Sequence, residues 1–322
     1  MCFPTVVRAP PRLPFVAVIE VEGLRKEYRR LRGGPTLALD GLDVSVPEGG
    51  VFGFLGPNGS GKTTTIRCLL GLVRASSGRS RLLDAGPREL HTVIGRVGSM
   101  VETPQFFPNF SGRRNLELLA RLDGIGRARV NETLDLVGLG SSAGSPFRTY
   151  SLGMKQRLGL AAALIKDPEL LILDEPANGL DPAGIKEIRD LVRRLGSEGR
   201  TIFVSSHLLG EVQQMCDRVA ILARGRLVTE GPVADVLAGG RASRLVVQVA
   251  PLEAALETLR SADLDATLDG HHILVQLPAE DAARVTEVLA DARMYVSELR
   301  PEEIDLETVF LELTRSDGDA TG

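Results

Sequence analysis

Eight consecutive residues, Gly56-Pro57-Asn58-Gly59-Ser60-Gly61-Lys62-Thr63, satisfy every fixed position of the pattern G-x-x-x-x-G-K-[ST]. They stand between an apolar run, Val51-Phe52-Gly53-Phe54-Leu55, and a helical-looking segment, Thr64 to Leu70. A strand that turns through glycine-rich backbone into a helix leaves little choice of architecture. The glycines let the chain wrap tightly, so that backbone N–H groups point inward at phosphate oxygens. The helix that follows adds the positive end of its dipole. In that arrangement Lys62 holds the β- and γ-phosphates and the Thr63 hydroxyl ligates Mg²⁺. Gly56, Pro57, Asn58, Gly59, Ser60, Gly61, Lys62, Thr63 and Thr64 are therefore the candidate nucleotide contacts. The competing reading, a glycine-rich turn with an incidental lysine, sits poorly with the strand–loop–helix context.

The rest of the chain alternates between strand-like and helix-like patterns. Ala17 to Val21 and Leu42 to Val46 read as short strands, with a loop at Gly33-Gly34-Pro35 and a turn near Ser76-Ser77-Gly78. From about Phe106 to Ile165 the pattern is helical, as in Asn115 to Ala120 and Glu132 to Val137. Glu169 to Glu175 is an apolar run ending in two acids, and Thr201 to His207 is a second such run. Both suit buried parallel strands with functional residues at their carboxyl ends. The alternation predicts an α/β fold with a mostly parallel sheet.

The pattern restarts after a boundary near Gly239-Gly240. Strands are predicted at Leu245–Val249, His272–Leu277 and Tyr295–Leu299. Helix faces are marked by Leu252, Leu256 and Leu259, by Val285, Val288 and Leu289, and by Leu306, Val309, Phe310 and Leu313. This second unit reads as a small α+β domain of ferredoxin-like type. The boundaries are then 1–16 as a disordered leader (or a consequence of an upstream start codon), 17–238, 241–316, and a disordered tail at 317–322.

A chain of 322 residues, 43% apolar and 25% charged, has ample material for such a core. A net charge of −4 supplies no global basic field of the kind that attracts nucleic acid. Cys2, Cys68 and Cys216 are too scattered for a disulfide framework or a metal site, and a reducing, cytoplasmic compartment fits them. No run of about 18 apolar residues is present, so nothing reads as a bilayer span. The four prolines before Val16 interrupt the stretch a secretory signal needs. His271-His272 reads as two strand neighbours on opposite faces rather than a metal pair.

Tyr150-Ser151-Leu152-Gly153-Met154-Lys155-Gln156-Arg157, about twenty residues before Asp174-Glu175, resembles the signature motif of ABC-type ATPases. Asn178-Gly179-Leu180-Asp181 looks like their D-loop and His207 like their switch histidine. The resemblance covers about Val18 to Leu237. It implies a P-loop ATPase head with a mixed sheet core, an antiparallel β subdomain and a helical subdomain at about 103–165. It further implies that Asp174 holds Mg²⁺, that Glu175 orients or deprotonates the attacking water, and that His207 ties Glu175 to the γ-phosphate. Tyr28 resembles the aromatic that stacks on adenine; the alternative is a half-buried surface tyrosine. Ser151, Gly153 and Asp181 would serve nucleotide bound by a second head, so the resemblance implies a dimer sharing ATP and Mg²⁺, identical or homologous. Two departures stand out. Leu152 and Met154 replace a glycine and a glutamine, and Glu102 stands where the family's Mg²⁺-linked glutamine is usual, with Gln105 nearby as the other possibility.

The Ser-Leu-Gly-Met signature, the Glu102-Thr103-Pro104 segment and the C-terminal unit are similar to the bacterial drug, bacteriocin and lantibiotic exporter branch. The expectation is an ATP-hydrolysing motor at the cytoplasmic face of the plasma membrane. It would be joined to a separate permease, with no nucleic-acid partner, and its C-terminal domain would be regulatory, dimer-supporting or a passive appendage. The alternatives are a soluble ABC-type ATPase acting on nucleic acid or the ribosome, and an import motor.

Overall fold

Strand alternation at the start of the chain carries the first sheet. In a computed structural model, residues 17–29, 34–102, 105–239, 244–302 and 305–315 are described. The expected leader, Gly33, Thr103, Pro104, Gly240 and the tail from 317 onward lie outside them. The first elements are β1 (Ala17–Tyr28), β2 (Thr36–Pro47), β3 (Gly50–Leu55), α1 (Lys62–Leu69) and β4 (Ser77–Leu82). β1 turns Ile19, Val21 and Leu24 into the core. It pairs antiparallel with β2 on one side and β4 on the other.

The turn expected at Ser76-Ser77-Gly78 is corrected: Ser77 and Gly78 open β4. Ser77 pairs with Arg25, and Gly78 (φ +87) passes so close to β1 that a Cβ would stand 2.3 Å from the Gly23 carbonyl oxygen. Turn-forming composition here serves a close strand crossing, not a reversal.

Next come β5 (Val97–Met100), α2 (Gly112–Leu122), α3 (Arg127–Leu136), α4 (Leu152–Leu164), β6 (Leu170–Asp174), α5 (Pro182–Ser197), β7 (Thr201–Ser206), α6 (Leu209–Met215), β8 (Arg218–Ala223) and β9 (Arg226–Pro232). The main sheet has the order β5-β6-β7-β3-β8-β9. Its first five strands run parallel, and β9 returns antiparallel to β8. The parallel strands therefore present their carboxyl ends at one edge, where α/β sheets place their ligands. β6 and β7 are buried along their whole length, as strands covered on both faces must be. Phe203 of β7 packs against Phe54 and Phe52 of β3, with ring centroids 5.0 and 5.9 Å away.

The helical region is started by side-chain caps. Ser111 Oγ accepts from the Arg114 N–H at 3.1 Å and opens α2; Ser151 Oγ accepts from the Met154 N–H at 3.2 Å and opens α4. Leu116, Ala120, Val130, Leu134, Leu158 and Ala161 supply its buried faces.

The chain divides into two compact units, Met1–Val233 and Ala234–Gly322, with the division inside α7 (Val233–Gly239). The second unit contains β10 (Arg244–Val249), α8 (Leu252–Ser261), β11 (Ala266–Asp269), β12 (His272–Gln276), α9 (Ala282–Asp291), β13 (Val296–Pro301) and α10 (Leu306–Arg315). Its antiparallel sheet has the order β11-β12-β10-β13. A β-α-β-β-α-β sequence with the first and third strands central is the ferredoxin-like arrangement. Leu245, Val247 and Val249 meet Ala255, Leu259, Val285 and Leu289 in a core of their own. His271 lies in the turn between β11 and β12, and His272 opens β12. Among the described residues no group of histidine, cysteine or carboxylate side chains is arranged to hold a metal.

Candidate active site

The loop between β3 and α1 is shaped by glycines that nothing else can replace. Gly61 has φ +108, and a Cβ there would stand 2.6 Å from Leu39 Cδ2 and 2.8 Å from the Ala38 carbonyl. At Gly56 a Cβ would lie 2.4 Å from the Leu222 carbonyl oxygen. The loop is thus pressed against β2 and the end of β8, with the Gly225 N–H donating to the Ser60 carbonyl at 3.0 Å. Pro57, Asn58 and Gly59 are exposed, Ser60 and Lys62 buried, Thr63 and Thr64 half-buried.

Lys62 Nζ donates to the Gly56 carbonyl at 2.7 Å and lies 3.2 Å from Glu175 Oε1. The other oxygen of that carboxylate, Oε2, is 2.8 Å from His207 Nδ1 and accepts from the His207 N–H at 3.3 Å. A carboxylate only accepts, so Nδ1 carries the proton toward Glu175 and Nε2 is not used by that carboxylate. The three residues come from three elements: the start of α1, the end of β6 and the end of β7. Glu175 itself sits at φ +49, a left-handed turn directly after the strand.

Ser205, which no sequence pattern singled out, joins the two acids. Its Oγ donates to Asp174 Oδ1 at 2.5 Å and accepts from the Glu175 N–H at 3.1 Å. Its position in β7, registered opposite Asp174 of β6, is a product of strand pairing.

These residues fit a triphosphate with Mg²⁺. Ser60 Oγ is buried and has no hydrogen-bond partner. The N–H groups at the start of α1 point out of its first turn. A lysine, a threonine hydroxyl and two carboxylates complete a donor set of the type that holds Mg²⁺ and phosphate oxygens.

The ABC transporter family model matches residues 39–178. An uncharacterized ABC transporter ATP-binding protein, YhcH of Bacillus subtilis (strain 168), is 41% identical over 300 residues, 92% of this chain and 96% of its own length. The chain is an ABC transporter ATP-binding protein. The bacitracin transport ATP-binding protein BcrA of Enterococcus faecalis is 45% identical over 222 residues, 68% of this chain and 70% of its own. Among solved structures, cbiO1 from Clostridium perfringens, part of the ABC transporter complex cbiONQ, superposes with a TM-score of 0.60 at 30% identity, covering 69% of this chain and 91% of that one. The dimeric post-hydrolysis state of the ATP-binding cassette MJ0796, bound to ADP and Pi, gives 0.61 at 23% identity over 67% and 98%. The ABC transporter ATP-binding protein is thus an ATPase that takes ATP with Mg²⁺.

In this ATP-binding protein the segments expected to act on a second head stand together. Ser151 and Asp181 each cap a helix, Asp181 Oδ1 accepting from the Gly184 N–H at 3.2 Å at the start of α5. Leu152 lies against the D-loop, where a Cβ on Gly179 would stand 3.0 Å from Leu152 Cδ2. Leu180 lies near Gly153, a Cβ there falling 3.7 Å from Leu180 Cδ2. Ser151 is exposed at the N-terminal end of α4. Tyr28 is half-buried at the end of β1, with Lys26 Nζ 4.8 Å from its ring centroid. The carboxylate of Glu102 pairs with Arg67 of α1. Gln105 lines a groove of about 250 Å³ with Glu102, Phe106 and Leu119.

Proposed function

We propose that the chain energises export of a small amphiphilic drug or peptide antibiotic through a separate membrane permease, with Lys62, Asp174, Glu175 and His207 as its hydrolytic residues. The observation that carries the assignment of roles is the carboxylate of Glu175, held between Lys62 and His207 at the carboxyl edge of the sheet.

Phosphoryl transfer needs little covalent help from a protein; positioning and charge stabilisation do most of the work. Mg²⁺, when bound, neutralises phosphate charge, and Thr63 and Asp174 would hold it. Lys62 and the loop N–H groups receive the phosphates, with Ser60 Oγ as a further donor. Glu175 orients the attacking water and accepts its proton. His207 fixes the carboxylate's direction through Nδ1 and keeps Nε2 for the nucleotide side. Tyr28 offers a ring for adenine, and Glu102 a further carboxylate for the metal.

One head carries one phosphate loop and one signature. The exposed Ser151 end of α4 and the D-loop suit nucleotide bound by a second copy. The printed names of relatives favour export: bacitracin transport for BcrA and lantibiotic transport for SrtF of Streptococcus pyogenes. The docking face for a permease is proposed on the helical region, where Phe107, Phe110, Leu119 and Leu122 are exposed beside the Glu102 groove. No helix among the described residues is long and apolar enough to cross a membrane, so the cytoplasmic-face location proposed here depends on that partner.

In the test, Glu175→Gln is purified from membranes of its own host with Mg-ATP. A dimer by light scattering that brings down a multi-span membrane protein supports the reading. A monomer at saturating Mg-ATP, or co-purifying ribosomal RNA in place of a permease, overturns it.

A further inference from the structure

Glu102 is an anomaly in charge. It places a third carboxylate at the sheet edge that already carries Asp174 and Glu175, where a triphosphate must approach. Its position is set by the β5–β6 ladder. Met100 is registered with Leu173, so Glu102, two residues on, stands at the same edge as Asp174, one residue on. Its backbone is left-handed, φ +65, which holds the side chain in an unusual direction. That direction leads to Arg67, whose guanidinium Nη2 donates to Glu102 Oε1. Arg67 is four residues after Thr63 in α1, so the two share one face of the helix.

We infer that Arg67 is a positioning residue for nucleotide binding: it neutralises Glu102 and holds that carboxylate on the Thr63 face of α1. The inference rests on the ATP and Mg²⁺ reading of the site. The pair contributes little to the fold, because both side chains are substantially exposed, 35% and 62%, and exposed pairs are weak stabilisers. Its effect falls on the charge balance of the site. With Arg67 in place, Lys62 faces Glu175 and Arg67 faces Glu102. Without it, an uncompensated carboxylate competes with the triphosphate for the same cations.

The experiment is a two-by-two set of variants, Arg67→Gln and Glu102→Gln alone and together, with Arg67→Lys as the conservative control. The first readout is the dissociation constant of a fluorescent, slowly hydrolysed ATP analogue with Mg²⁺; the second is the KM and kcat of hydrolysis. Loss of the Arg67 charge is expected to weaken binding about tenfold and to raise KM more than it lowers kcat. In the Glu102→Gln background the same loss is expected to fall below about twofold, since a neutral amide needs no counter-charge. Arg67→Lys should retain most of the affinity. An equal penalty in both backgrounds, or no penalty in either, overturns the inference and leaves the nucleotide reading standing. Failure of the unsubstituted protein to bind the analogue overturns the nucleotide reading itself.

Discussion

Glu175 carries a side chain in a left-handed turn, φ +49, a conformation that costs a residue with a Cβ about 1–2 kcal/mol. The gain is placement. Only by turning sharply after Asp174 does the carboxylate reach Lys62 with one oxygen and His207 with the other. Replacing Glu175 by Gln keeps the shape and removes the proton acceptor. Turnover is expected to fall by about 10²-fold or more while the affinity for Mg-ATP stays within a few-fold, measured by phosphate release and by equilibrium binding. Hydrolysis at the unsubstituted rate would show that another group activates water. The Asp174-Glu175 pair was legible only beside the phosphate loop, because by itself an apolar run ending in acids reads more readily as a strand end facing solvent. Ser205 was not, because a serine in a strand has no distinguishing neighbourhood until β7 pairs with β6. Arg67 was hidden in the same way: it is one arginine on a helix, and its partner lies 35 positions away.

Among elements, β7 has the most to hold. It registers Ser205 with Asp174, carries His207 beyond its end, and buries Phe203 against the two rings of β3. Phe203→Ala is expected to cost about 3–5 kcal/mol, read from denaturant unfolding. Turnover at a temperature where the variant remains folded should also fall, because β3 leads into the phosphate loop and the neighbouring β7 carries His207 beyond its end. A second junction joins the helical region to the sheet. Asp167 Oδ1 is 2.9 Å from Arg200 Nη2 and 3.1 Å from Arg129 Nη2, and Arg129 Nη2 also donates to the Leu164 carbonyl at 3.0 Å. The hydrogen bond from Arg200, reinforced by the charge of Arg129, holds the Asp167 carboxyl below its ordinary value. A depressed folded pKa means that the pair's contribution is present above the unfolded pKa, about 3.9. It is lost as pH falls through the lower folded value. Asp167→Asn should therefore lower the melting temperature at pH 7, and the gap should close as the pH is taken toward 3. A constant gap across that range would assign the effect to packing. The expected helices at Asn115–Ala120 and Glu132–Val137 were visible from periodicity. The short strands β5 and β11, four residues each, were not, since so short a run has no periodicity to read.

In the molecule as a whole, two units each close a core of their own. The C-terminal unit has the ferredoxin-like strand order and carries none of the proposed hydrolytic residues. We propose that it supports or regulates association of two heads. Truncation after Gly239 is then expected to preserve binding of the ATP analogue and to weaken Mg-ATP-driven dimerisation of Glu175→Gln, compared by light scattering across protein concentration. Equal dimerisation with and without the unit would mark it as a passive appendage.

Local chemistry by itself determined the phosphate loop, the acidic strand end, the signature and the α/β class, because each depends on residue types at fixed short spacing. Tertiary structure alone decided which groups meet: Glu175 with Lys62 and His207, Ser205 with Asp174, Arg67 with Glu102, and Gly78 of β4 with β1. Those contacts depend on strand order and register, which arise from burying apolar faces over the whole chain, and no short stretch of sequence contains them.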